Sequence, residues 1–232
     1  MPPSVSEDAQ HEWLLLYGKA FDDKLVAARV MYSSCKRDVE KMLEVYRREE
    51  KELHPGDISA MGAPMIYASI YFESFLYFIV GALDILASIN YHFIYRGDNR
   101  TLTESYFKKQ MENFLNAPNI NRDYSKLILT NKKWIEDVQN NRDGLAHKAS
   151  VFLTIEKDRI MVTKRRPYDD KVMLNKLPRE DLLQYLDNTF VNLYRFLDDY
   201  IMVHRKRIPV SEAARVRLDS LEKDQIKAVR SS

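Results

Sequence analysis

The chain has 232 residues, 45% of them hydrophobic and 30% charged, which is the composition of a folded protein. Its 36 Lys and Arg against 34 Asp and Glu give a formal net charge of +2, so bulk charge neither demands nor excludes a nucleic-acid partner. Six Gly and eight Pro argue against a turn-rich all-β fold, and the single Cys excludes an intrachain disulfide and a Cys-based zinc site.

Residues 1–12 lack a basic start followed by an apolar run, so no secretory signal is predicted. Residues 22–53 read as a long amphipathic helix. Leu25, Ala28, Tyr32, Cys35, Val39, Met42, Tyr46 and Leu53 share one face, with Lys36, Arg37, Glu40, Lys41, Glu44 and Arg47 opposite. Trp13 to Tyr17 suggests an earlier helical segment, joined or kinked near Gly18. A second helix is expected from about Ala63 to Tyr95. It is apolar around most of its circumference and so belongs at the centre of the fold. Glu73 and Asp84 interrupt its apolar run, which argues against a membrane span. Glu73, Tyr77, Gly81, Asp84, Ser88 and Tyr91 or His92 fall at spacings of three or four, a polar stripe on an apolar rod.

Thr101 and Glu104 form a capping-box pattern that opens a third helix, with Phe107, Met111 and Phe114 inward. A fourth helix spans 122–149, broken near Thr130 and Asn131, with Trp134, Val138 and Leu145 on its apolar face. Val151–Ile155 and Ile160–Thr163 are β-branched runs flanking a polar turn, the pattern of a β-hairpin. Pro178 suits a first helical turn, and Leu183, Leu186, Phe190, Leu193, Leu197 and Tyr200 define a fifth helix. The expected architecture is all-α, an antiparallel bundle of about five helices with a small β-hairpin at 151–163. The bundle domain covers 1–205, and 206–232 reads as a charged C-terminal helix or tail.

Familiar catalytic signatures are missing. The sequence has no GxGxxG, no Walker-type loop and no GxSxG, and its one thiol, Cys35, lies on an apolar helix face. No Glu-x-x-His pair suggests a di-metal site. Asp143 and His147, four apart, supply two metal ligands at most, so no metal and no cofactor is expected.

One motif stands apart. Arg142-Asp143-Gly144-Leu145-Ala146-His147 has the form Arg, four residues, His. Arg48 to His54 also fits an Arg-x5-His spacing, but Glu49 and Glu50 would repel a phosphate there, and His54 precedes Pro55 at a helix exit. The segment at 142–147 resembles the R-x4–6-H motif of the HEPN superfamily of helical-bundle proteins, in which a polar residue commonly follows the Arg, as Asp143 does. Some branches of that superfamily carry Tyr two residues after the His, where this chain has Ala149.

The resemblance implies a metal-independent endoribonuclease, of the kind found in toxin–antitoxin and other defence systems. RNA supplies its own nucleophile, the 2′-OH. His147 would take or deliver a proton, at an ordinary imidazole pKa of about 6.5. Arg142 would stabilise charge on the phosphate, and Asp143, one turn before His147, would orient the imidazole. Arg142 and His147 lie about 140° apart around an ideal helix. The resembled family meets this by forming homodimers with a composite cleft, and the same is expected here. Glu73 or Asp84 would support the site, or would simply hold two helices in register. Lys164, Arg165, Arg166, Arg205, Lys206 and Arg207 are candidate RNA contacts, or ordinary loop and helix-end charge. A cytoplasmic protein is expected, with an RNA substrate and an antitoxin or other regulatory protein as partners. The alternatives are a non-catalytic HEPN-like domain that binds RNA, nucleotide or a protein, and an unrelated helical interaction protein.

Overall fold

A computed structural model describes residues 7–49, 62–95, 106–148, 153–156, 158–163 and 178–205. Within them the chain forms five α-helices and a three-stranded sheet. The helices are α1 (Glu7–Glu49), α2 (Gly62–Ile89), α3 (Phe107–Asn116), α4 (Arg122–Lys148) and α5 (Leu182–His204). The strands are β1 (Leu153–Glu156), β2 (Arg159–Thr163) and β3 (Arg179–Asp181). A π-helical turn, Asn90–Ile94, extends α2. The expected all-α bundle with a small β insert is the fold observed. The expected tail at 206–232 lies outside the described residues.

Helix α1 is continuous over 43 residues. No kink falls at Gly18. A Cβ there would meet nothing within 4 Å, and one exposed glycine costs about 1 kcal/mol, too little to break a helix of this length. The predicted face is the buried one: Ala28, Cys35, Val39 and Met42 are at most 1% exposed. Helices α1 and α2 pack antiparallel, because Cys35 Sγ donates to Ala68 O at 3.4 Å while Lys24 lies against Gly81. Helix α2 is central, meeting α1, α3 and α4. By length and composition, Pro64–Ile94 is apolar enough to cross a membrane. Half of its most apolar window is buried in the bundle.

Three boundaries differ from expectation. The capping box at 101–104 lies outside the described residues. The described helix α3 begins at Phe107, and its N-cap, Tyr106, makes no side-chain cap. The cap comes instead from another helix: Phe107 N–H donates to Asp84 Oδ1 of α2 at 3.0 Å. Helix α4 has no break at Thr130 and Asn131. Both side chains bond back to carbonyls four residues earlier, at 3.0 and 2.9 Å, which satisfies them inside the helix. Pro178 does not open α5. It precedes a third strand, β3, and the helix starts at Leu182 with Asp181 as N-cap, accepting from Gln184 N–H at 3.1 Å.

The hairpin pairs as expected, with Leu153 opposite Val162 and Ile155 opposite Ile160. Asp158 in its turn has φ 60, a left-handed conformation that Asp tolerates better than most residues. Leu153, Ile160 and Val162 are buried, and β2 packs on α1 and α5.

Beside this apolar core lies a buried polar network. Asn90, which opens the π turn, is 0% exposed. It donates to Gln110 Oε1 at 3.3 Å and Tyr124 OH at 3.1 Å, and accepts from Tyr200 OH at 2.7 Å. His204 Nδ1 faces the Tyr200 carbonyl at 2.9 Å, so Nδ1 carries hydrogen. With the ring neutral, Nε2 then accepts from Tyr95 OH at 2.7 Å. Asn121 donates to that same hydroxyl at 2.8 Å. Four elements are thus locked in one mutual orientation.

Candidate functional site

The orientation of α4 decides where the motif points. Asn141 is buried and donates to Tyr185 OH of α5 at 3.0 Å, and to Asp137 Oδ2 at 3.3 Å. That bond turns the Asn141 side of α4 toward α5. Arg142, one residue on, sits 100° around the helix and faces α2 and α3 instead. There it lines a groove of about 420 Å3 with Asp84, Gln139 and Asp143, and with Tyr106 and Lys108 from the start of α3.

Arg142 and Asp143 are each 25% exposed, and Arg142 Nε lies 3.3 Å from Asp143 Oδ1. The contact is an ion pair without hydrogen-bond geometry. Arg142 Nε is buried and has no hydrogen-bond partner among the described residues. Gln139 Oε1, one turn earlier on the same side of α4, is also buried and unpartnered. Each such group has a desolvation cost of about 1–3 kcal/mol unless something bonds it.

Asp84 is the one predicted supporting carboxylate that reaches this groove. Burial pushes its carboxyl above the ordinary value of 3.8, and the nearby Asp143 adds to that. The Phe107 N–H bond and the Arg142 charge pull the other way. Glu73 lies 11 residues earlier on α2, about 16 Å along the axis, so the two carboxylates do not serve one point.

The raised value of Asp84 has a measurable consequence. The folded protein holds this proton more tightly than the unfolded chain. The stability it contributes is complete below 3.8 and is lost as pH rises through the raised pKa. Asp84→Asn keeps an acceptor for Phe107 N–H and removes the buried charge. Its urea midpoint relative to the native protein should therefore rise as pH climbs from about 4 through the raised pKa. A relative midpoint that falls over that range would show that attraction to Arg142 outweighs desolvation.

Helix α4 includes position 147 in its last turn, while the His147 side chain lies outside the described part. Position 147 follows Asn140 by seven residues, two turns along the same strip of α4. That strip borders a second, larger groove of about 880 Å3 between α4 and α5, lined by Lys133, Glu136, Asn140, Asn188 and Asn192. Positions 142 and 147 thus occupy different sides of one helix, as the motif's spacing implies.

Of the basic candidates, Arg205 is described, partly buried at the end of α5 and engaged with a neighbour. Lys164, Arg165, Arg166, Lys206 and Arg207 lie outside the described residues. Among the described residues no group of three His, Cys, Asp or Glu side chains is placed to hold a metal ion. Tyr106, Lys108 and Gln139 were not singled out from sequence. Gln139 was within reach, being one turn before Arg142, whereas the approach of α3 depends on tertiary packing.

No family model, no curated protein and no solved structure matches the chain.

Proposed function

We propose that the chain is a HEPN-like, metal-independent endoribonuclease acting as a homodimer, in a toxin or defence setting with a regulatory protein partner. The observation that carries this reading is Arg142, held by the bundle at the edge of an open groove with part of its donor set unused. Arg142 would bind the scissile phosphate, stabilising the charge that builds on its oxygens as the 2′-oxygen attacks. One His147 accepts the 2′-OH proton. A second, from the other protomer, protonates the departing 5′-oxygen. The P–O5′ bond breaks, leaving a 2′,3′-cyclic phosphate and a 5′-OH.

Two features favour two copies. The motif residues lie about 140° apart on one helix, so a single protomer does not converge them. The outer strip of α2 is also apolar: Ile66, Ile70 and Tyr77 are 60, 49 and 45% exposed. It leads, one heptad beyond Tyr77, to Asp84 in the Arg142 groove. An exposed apolar strip rimmed by charge is a common mark of an interface.

The test is RNA cleavage in excess EDTA, with end-group analysis of the products. Cleavage is expected to persist and to give 2′,3′-cyclic phosphate ends, and a substrate with 2′-deoxyribose at the cut position should stay intact. Cleavage lost in EDTA, or retained at the deoxy position, overturns the mechanism. A non-catalytic binding role has its own supporting observation, since Asp143 sits against Arg142, where it partly neutralises it. RNA binding without any cleavage would select that reading.

A further inference from the structure

We infer that the groove between α2, α3 and α4 is a nucleobase subsite, in which Gln139 Oε1 and Arg142 Nε together bond one edge of a base, the terminal nitrogens of Arg142 are left to the phosphate, and Tyr106 stacks on the face of the base. The inference rests on the RNA reading above for the class of ligand, and on geometry of its own for the site.

The geometry begins with two unmet groups. Gln139 is 2% exposed, and its Oε1 accepts from nothing among the described residues. Arg142 Nε–H, three residues on and on the same side of α4, makes no hydrogen bond there and has only the ion-pair contact with Asp143 Oδ1 at 3.3 Å. They do not bond each other. A buried acceptor and a buried donor one helical turn apart, neither hydrogen-bonded, are matched by a ligand edge carrying an adjacent donor and acceptor. Nucleobases present such edges in compact, planar form.

The rest of the groove suits a nucleotide. Tyr106 offers an aromatic ring that is 61% exposed, and such rings serve as stacking surfaces for bases. Lys108 and Lys109 follow it. Lys109 is paired with Glu112 at 3.1 Å, while Lys108, which also lines the groove, has no ion pair among the described residues and is the cation proposed to meet a phosphate. The three carboxylates that line the groove each have a partner: Asp84 the Phe107 N–H, Glu112 the Lys109 ammonium and Asp143 the Arg142 charge. At about 420 Å3 the groove falls within the range of small-ligand sites. Gln139 Oε1 and Arg142 Nε are closed off from bulk water, so a base must displace the side chains that shield them.

Calorimetric titration of the full chain with the four ribonucleoside 3′-monophosphates, and with inorganic phosphate, tests this directly. One nucleotide should bind about tenfold or more tightly than the others, the discrimination that a donor–acceptor pair to one base edge supplies. Gln139→Met should erase the difference between bases. Tyr106→Ala, at an exposed position that the fold does not need, should weaken the preferred nucleotide about tenfold. Because Gln139 is buried, circular dichroism and thermal melting of Gln139→Met accompany the titration, and if that variant is unfolded Tyr106→Ala decides. Equal binding of all four nucleotides and phosphate overturns the subsite, as does base preference that survives both substitutions. Base-selective binding without cleavage keeps the subsite and removes the nuclease reading. Cleavage by a protein that binds the nucleotides without preference does the reverse.

Discussion

His147→Ala is expected to lower the rate of RNA cleavage by about 10²–10⁴, the range that a positioned proton-transfer group supplies. Arg142→Ala should cost about 10²–10³, comparable to losing one preorganised donor aimed at developing charge. Far-UV circular dichroism should change for neither, because what fixes α4 is Asn141, buried and bonded to Tyr185, together with apolar residues such as Ile135 and Val138. Arg142→Lys should recover only part of the activity. It restores the charge but not the fixed fork of donors. Single-turnover rates at saturating RNA separate these effects from weakened binding.

The same pair of variants tests whether the cleft is shared. If positions 142 and 147 act within one protomer, mixing inactive Arg142→Ala with inactive His147→Ala restores nothing. If two copies build the site, a mixed dimer holds one native Arg142 and one native His147 in a single cleft and lacks the second His147, so its activity stays below that of the native protein. Its activity should then exceed that of either variant alone. Such complementation asks for no structural knowledge of the interface. It would establish that the roughly 140° between the two positions is bridged by the second copy.

Much of this fold was legible because its helices are long and their periodicity is strong. The α1 face through Ala28, Cys35, Val39 and Met42 is buried as spaced. So is the α5 face through Leu186, Leu193, Leu197 and Tyr200. The errors have local physical causes. Thr130 and Asn131 look like a break only if their side chains have no partner, and backbone carbonyls one turn back provide it. The three residues of β3 are too few to show alternation. The start of the described α3 rests on Asp84, 23 residues away in sequence, so no local capping pattern reports it. The site was half legible. The spacing of Arg142 and His147 could be read, and Asp84 was singled out by its place on a polar stripe. The position of Gln139 was within reach, but that its Oε1 is unpartnered could not be read, because pairing is a property of the packed molecule.

Asn90→Leu is expected to have the largest effect on stability, about 3–5 kcal/mol, although the two side chains are similar in size. Leucine would suit an apolar site, but this site is built of polar groups. Asn90 gives hydrogen to Gln110 and Tyr124 and accepts it from Tyr200, all out of contact with water. Losing it takes a hydrogen-bond partner from two acceptors and one donor at once, and each group left unmet costs about 1–3 kcal/mol. Against a total stability of about 5–15 kcal/mol, that is a large share, and it should appear as a marked fall in urea midpoint. Tyr200→Phe provides the control. It removes one hydroxyl, leaves Asn90 Oδ1 without that donor, and should cost only about 1–2 kcal/mol. If the two variants were equally mild, ordered water would be replacing the lost partners and the network would not be the lock on α2, α4 and α5. If Asn90→Leu is severe and Tyr200→Phe mild, Asn90 is the hub. The turn that carries it then holds α4 in the orientation on which the Arg142 groove depends.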